Sequence, residues 1–259
     1  MTLHEFGKEN KQTAVLIHPS LVMWDYFEYI IPLMQERYRL IVPALPGYDR
    51  ESPGDFSSVE AIAAGIADEL SERGIKEVSC IYGCSMGGSI VLRMLAEGRV
   101  KARSAVIDGG ITPYQLPWIA TRFIAIKDFL TIYAGKLGGT KLLEMAFKTD
   151  EYSKEDLAYV NSVLNYISAK TIWRTFESCN NYNMPFNVQT NCDRIEYWCA
   201  QAEVKARKRD IAYVKRVFPQ TEFHIFENIG HGGLAAMKPQ LMVKELIRAM
   251  GDAHSEELP

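Results

Sequence analysis

Ile81-Tyr82-Gly83-Cys84-Ser85-Met86-Gly87-Gly88 decides how the rest of the chain is read. An apolar run, Val78 to Tyr82, leads into it, and a run with helical character, Ser89 to Glu97, leaves it. Its centre is Gly-x-Ser-x-Gly between a strand and a helix, the setting in which this motif forms a nucleophile elbow. At such a bend Ser85 sits on a strained apex with its hydroxyl off the strand end. Gly83 and Gly87 lack a Cβ, so strand and helix can close on each other. The N–H of Met86 falls at the helix start, where free donors and the helix dipole favour an oxyanion. The bare five-residue pattern arises by chance in roughly one chain in ten of this length, so the strand-before, helix-after setting carries the weight.

Working outward, the same alternation repeats. Leu3 to Phe6 and Thr13 to His18 read as strands, the second a continuous apolar run of the buried kind. Trp24 to Arg37 reads as a helix kinked at Pro32. Arg39 to Val42 is a short strand, and a turn-rich loop, Leu45 to Ser52, follows. Ser57 or Ser58 caps the next helix, whose Ile62, Ile66 and Leu70 recur at helical spacing before Gly74 stops it. Arg103 to Asp108 is the strand after the elbow helix. This rhythm predicts an α/β fold with a mostly parallel, doubly wound sheet.

From Ile111 to Asp193 no strand is visible. Helical stretches rich in aromatics occupy Trp118–Tyr133, Thr140–Phe147, Lys154–Ala169 and Thr171–Cys179. The segment reads as an all-helical insertion lying over the strand ends. The expected division is therefore a core of residues 1–110 and 194–259 and a helical cap of residues 111–193. The strand rhythm resumes with Ile195–Cys199, a helix over Val204–Phe218, the strand Glu222–Phe226, a Gly-His-Gly-Gly loop and a last helix from Pro239 to Met250.

The 259 residues carry a net charge of −3, with no broad basic surface for nucleic acid or anionic lipid. The cluster Lys205-Ala-Arg207-Lys208-Arg209 reads as a solvated helix face. Five cysteines with no CxxC pair suggest reduced, intracellular usage, and neither a signal peptide nor a membrane span is visible, so a cytoplasmic protein is expected.

A serine hydroxyl needs an adjacent base. Of the five histidines, His231 alone sits in a glycine-flanked loop after a late strand, on the sheet edge expected to carry the elbow. A carboxylate must orient its ring. Glu203, shortly after the strand Ile195–Cys199, is the first choice, and Asp108, at the end of the preceding strand, is the alternative. The oxyanion needs a second N–H besides that of Met86, from the loop after the first long strand. Pro19 cannot donate, which leaves Ser20 or Leu21, with Ser20 preferred.

On His18-Pro19-Ser20, the loop Leu45 to Ser52, Gly83-Cys84-Ser85-Met86-Gly87 and Gly230-His231, the chain resembles the α/β-hydrolase fold family over nearly its whole length. The resemblance implies Ser85 as nucleophile, His231 as base and a cap between the sixth and seventh strands. Three positions depart from the family pattern. Pro19 stands where a glycine is usual, Tyr48-Asp49 where His-Gly is common, and Ala200-Gln201-Ala202-Glu203 where Gly-x-x-Asp is usual. The expected activity is hydrolysis of a small or medium apolar or aromatic ester, with no cofactor and no metal. His18, Trp24, Tyr114 and Trp118 are the candidates for the substrate pocket. Lactonase, thioesterase or carbon–carbon hydrolase chemistry on the same residues is the alternative, as is a binding protein on a decayed hydrolase scaffold. A homodimer is compatible with all of these.

Overall fold

The computed structural model describes residues 1–50, 52–113, 116–146 and 153–251. In chain order the elements are β1 (Thr2–Phe6), β2 (Thr13–Ile17), α1 (Ile31–Met34), β3 (Arg39–Ala44), α2 (Val59–Glu72), β4 (Glu77–Cys84), α3 (Met86–Glu97) and β5 (Lys101–Asp108). There follow α4 (Trp118–Ala146), α5 (Lys154–Tyr166), α6 (Ala169–Asn181), β6 (Cys192–Ala200), α7 (Lys208–Val217), β7 (Glu222–Phe226), α8 (Gly233–Met237) and α9 (Pro239–Ala249). The seven strands form one sheet in the order β1-β3-β2-β4-β5-β6-β7. Only β1 runs antiparallel, against β3.

The uninterrupted apolar strands are explained by burial on both faces. Val15, Ile17, Ile81, Ala105 and Ile107 pack with α2, α3 and part of α7 on one side. Their strand neighbours Ala14, Leu16, Cys80, Tyr82 and Val106 pack with α1, α8 and α9 on the other. The period-2 alternation thus sorts one hydrophobic stretch into two cores. Ser58 caps α2 by accepting the Ala61 N–H, and Ile62, Ile66 and Leu70 are the buried stripe of that helix.

Several expectations need correction. Trp24 to Arg37 is not one kinked helix: a 3₁₀ turn, Trp24–Phe27, is followed by the short α1, with Pro32 in its first turn. Proline lacks only an N–H that is unpaired there anyway, so it starts this helix and does not bend it. The helix expected from Val204 begins only at Lys208, because Gln201–Glu203 forms a 3₁₀ turn after β6. β6 starts at Cys192, paired with Ala102, so the sheet resumes two residues before the expected boundary. The helical insertion stands between the fifth and sixth strands of this chain, since five described strands precede it and two follow. The expected helices Trp118–Tyr133 and Thr140–Phe147 are the two arms of α4, which breaks between them where Gly139 takes φ 64° and ψ −160°. Phe147 lies outside the described residues.

The inserted helices are tied to loops that leave the sheet. The Tyr48 and Thr175 hydroxyls share a hydrogen bond of 2.8 Å, and the N–H of Val59 donates to Ser178 Oγ at 2.8 Å. The Tyr182 hydroxyl donates to the Ile111 carbonyl at 2.9 Å, and the N–H of Met23 donates to the Tyr159 hydroxyl at 2.9 Å. Among the described residues no helix is long and apolar enough to cross a membrane.

Candidate active site

Strand register decides which loops meet. Ile17 lies opposite Gly83, Cys84 opposite Asp108, Asp108 opposite Trp198, and Ala200 opposite Phe226. Because these pairings are parallel, the segments that start at His18, Ser85, Gly109, Gln201 and Glu227 emerge along one sheet edge.

Ser85 lies between the end of β4 and the start of α3 with φ 52° and ψ −111°. A non-glycine residue held there costs on the order of 1–3 kcal/mol, which its surroundings must offset. The N–H of Ser85 donates to the Asp108 carbonyl at 2.8 Å, and its own carbonyl accepts from Ser89 at 3.0 Å. The turn closes only because its flanks are glycine. A Cβ on Gly83 would lie 2.2 Å from the Gly87 carbonyl oxygen, and one on Gly87 would lie 2.3 Å from that of Ile17. Met86, the first residue of α3, offers an N–H that the helix itself leaves free.

His231 comes to this edge from the loop after β7. Its Nδ1 lies 2.9 Å from Glu203 Oε1 and 3.0 Å from Oε2. An ionised carboxylate only accepts, so Nδ1 carries the proton, and in that tautomer Nε2 is the basic nitrogen of the ring. The ring lies against Gly109: a Cβ there would be 3.0 Å from Cε1 and 3.1 Å from Nδ1. Gly109 directly follows the residue whose carbonyl receives the Ser85 N–H. The next residue in the loop, Gly232, has its carbonyl held by the Tyr26 hydroxyl at 2.6 Å, and a Cβ on it would lie 3.5 Å from Cys84 Sγ. Elbow and histidine loop are therefore packed together.

The two candidate acids have different surroundings. Burial alone would raise Glu203, but the His231 hydrogen bond and the Arg207 guanidinium outweigh it and hold the carboxyl below its usual range. Arg207 Nη2 is 3.5 Å from Glu203, while its Nη1 is 3.6 Å from Asp210. Asp210 in turn accepts from both the N–H and the hydroxyl of Thr112 at 2.8 Å. Asp108 is buried and accepts the Tyr82 hydroxyl at 2.7 Å; burial pushes it up to about 6.

His18 is fully buried, with Nδ1 2.7 Å from the Pro19 carbonyl and its ring edge-on to Tyr48. Burial drives its pKa down to about 4, so it is neutral at physiological pH, with Nδ1 donating to Pro19. Ser20 is half-buried, and its neighbour Leu21 takes φ 69°. Trp24 stacks on His4 and Phe6 of β1. Trp118 is exposed, with the Arg122 guanidinium over its ring. Tyr114 lies outside the described residues. A cavity of about 360 Å³ between Thr112, Pro113 and Leu116 on one side and Arg209 and Tyr213 of α7 on the other includes, among the described residues, none of those expected in the pocket.

Sequence reasoning placed Arg207 on a solvated helix face. It points inward, with its side chain only 15% exposed, and its spacing of four from Glu203 was the available signal. Tyr26 carried no such signal. Among the described residues, Glu196, Glu222 and His224 bring ligand atoms close enough for a metal. The Glu196 carboxylate already receives both Arg194 and Arg248 and the Trp198 indole, so its charge is taken up by cations.

The sequence matches the alpha/beta hydrolase family over residues 14–241. The chain belongs to that family. No curated protein matches it in sequence. A carboxylesterase structure from the thaumarchaeon Nitrososphaera gargenis superposes with TM-score 0.75 at 19% identity, covering 96% of this chain and 93% of that one. The esterase EaEST from Exiguobacterium antarcticum gives 0.74 at 15%, with 96% and 94% covered. The epoxide hydrolase CorEH gives 0.67 at 17%, with 96% and 94% covered. Likeness at these identities establishes the fold, and the range of chemistries shows that the fold leaves the substrate open.

Proposed function

We propose that this alpha/beta hydrolase is a serine esterase that cleaves a small or medium carboxylic ester through an acyl-enzyme. The observation that carries the reading is the hydrogen-bonded Glu203–His231 pair lying against the residues that hold the Ser85 elbow. In the first half-reaction Ser85 Oγ attacks the acyl carbon as His231 Nε2 takes its proton. The N–H groups of Met86 and Ser20 receive the developing oxyanion. As the tetrahedral intermediate collapses, the acyl–oxygen bond breaks and the imidazolium gives its proton to the departing alkoxide. Water then attacks the acyl-enzyme with His231 again as base, releasing the acid and restoring Ser85. Glu203 holds the Nδ1–H tautomer and balances the transient imidazolium.

The helices of residues 111–193 are read as the cap, and the likeness to a carboxylesterase and an esterase favours an ester over other acyl substrates. All five cysteines are unpaired, which suits a reducing compartment such as the cytoplasm. Ser85→Ala is expected to abolish p-nitrophenyl ester hydrolysis and labelling by a fluorophosphonate while leaving the circular dichroism spectrum unchanged. Labelling that persists in this variant excludes Ser85 as nucleophile. An absence of any burst with aryl esters in the unaltered chain would favour a binding protein on this scaffold.

A further inference from the structure

The long helix α4 is apolar on both sides. Its inner side packs into the protein: Ala125 is buried, and Phe129 stacks on Tyr133 and meets Trp173 of α6. Its outer side carries Trp118 (66% exposed), Ile119 (64%), Phe123 (70%), Ile126 (43%), Leu130 (58%) and Leu137 (73%). A helix that is hydrophobic all round is ordinarily buried all round. From Ile119 the outer residues recur at steps of four, three, four and seven, the spacing of a seam that packs against another helix. At these exposures the six side chains leave about 700 Å² of apolar area open, above what monomers usually show and close to the roughly 800 Å² that each partner contributes to a standard interface.

We infer that this face is covered by α4 of a second copy of the chain, packed antiparallel about a two-fold axis near Lys127. One patch then serves both partners, as two-fold symmetry requires. The antiparallel arrangement sets Phe123 of one copy opposite Leu130 of the other, with Ile119 and Leu137 towards the two ends of the seam. A lipid surface fits less well, because such helices keep cations free for headgroups. Here Arg122 is paired with Glu177 at 2.8 Å, Lys136 donates to the Ile167 carbonyl at 2.8 Å, and Lys127 has Asp128 at 3.7 Å. This inference stands apart from the catalytic reading.

Sedimentation velocity of the full chain over a concentration series tests it. The unaltered protein should sediment at twice the 29.3 kDa chain mass, and Phe123→Glu combined with Leu130→Glu should give the single-chain mass with an unchanged circular dichroism spectrum. Orientation is tested by oxidative cross-linking: Lys127→Cys, near the axis, should form a covalent dimer, and Leu137→Cys, far from its own copy, should not. A single-chain mass for the unaltered protein at every concentration overturns the inference. So does a dimer that survives the double substitution, or cross-linking at position 137 in place of 127. Flotation of a monomer with phosphatidylcholine–phosphatidylglycerol vesicles overturns it in favour of lipid.

Discussion

Replacing Gly109 by alanine tests the proposed base through a residue that takes no part in the chemistry. Gly109 has φ +56°, and a Cβ built there would sit 3.0 Å from His231 Cε1, 3.1 Å from Nδ1 and 3.7 Å from Glu203 Oε2. Carbon contacts are comfortable at about 3.5–4.0 Å, so the ring must retreat by about 0.5 Å. A misplacement of about 1 Å costs on the order of a hundredfold in a catalytic geometry, so half that distance should lower kcat about tenfold. The left-handed backbone adds about 1–2 kcal/mol of destabilisation of its own. Gly74→Ala separates the two effects: φ there is +72°, and nothing lies within 4 Å of the added methyl. Urea melts should show both variants destabilised by similar amounts, while p-nitrophenyl ester turnover falls only in Gly109→Ala, in kcat more than in KM. Equal turnover in the two variants would mean that the position of the His231 ring does not limit the reaction, and the proposed mechanism would fall.

Glu203→Gln keeps the shape but lets the amide donate to Nδ1 and favour the wrong tautomer; kcat should drop by about 10²–10⁴-fold, and a drop under threefold would remove Glu203 as the acid. Asp108→Asn should act on stability with a definite pH sign. Burial holds the folded carboxyl up at about 6 against an ordinary 3.8, so as pH rises the unfolded chain releases this proton first. Folding therefore loses stability between about pH 4 and pH 6, and the loss persists above that, at about 2–3 kcal/mol. The asparagine variant should be more stable than the parent at pH 7.5 by up to this amount, with the advantage shrinking as pH falls through 6 towards 4. An advantage that does not change with pH in urea melts would contradict the assignment.

The parts of the fold legible in the sequence were those with local causes. The strand β2 announces itself as an apolar run, β4 and β5 by shorter apolar stretches within them, and Ser58 and Gly74 mark the two ends of α2. The elbow was legible for the same reason, since its two glycines and its serine lie within five residues. What depends on long-range partners was not. Pro32 looks the same whether it bends a helix or begins one, and only the 3₁₀ turn at Trp24–Phe27 decides between them. The inward turn of Arg207 depends on Asp210 and on the Thr112 loop, which is 98 residues from Asp210 in sequence. Periodicity counts Arg207 as one more charge on a basic helix, and the Tyr26 hydroxyl on Gly232, 206 residues away, leaves no mark in either segment.

The two acids show how position and environment divide a role that sequence alone leaves shared. Both follow neighbouring strands, and both lie near His231. A carboxyl serves a transient imidazolium only if it is ionised when the charge forms. Asp108 is enclosed, with one hydroxyl donor from Tyr82, and burial raises it to about 6, so it ionises less readily than Glu203. Glu203 is also partly enclosed, but it meets His231 with both oxygens and has a guanidinium behind it. That guanidinium is held by Asp210, whose other oxygen grips Thr112 at the start of the inserted helices. An unbroken line of polar contacts thus runs from Thr112 through Asp210, Arg207 and Glu203 to the imidazole. In the proposed mechanism the orientation of the base then depends on how the loop after β5 is seated, which puts the root of the inserted helices in contact with the chemistry without any of their side chains having to touch the substrate.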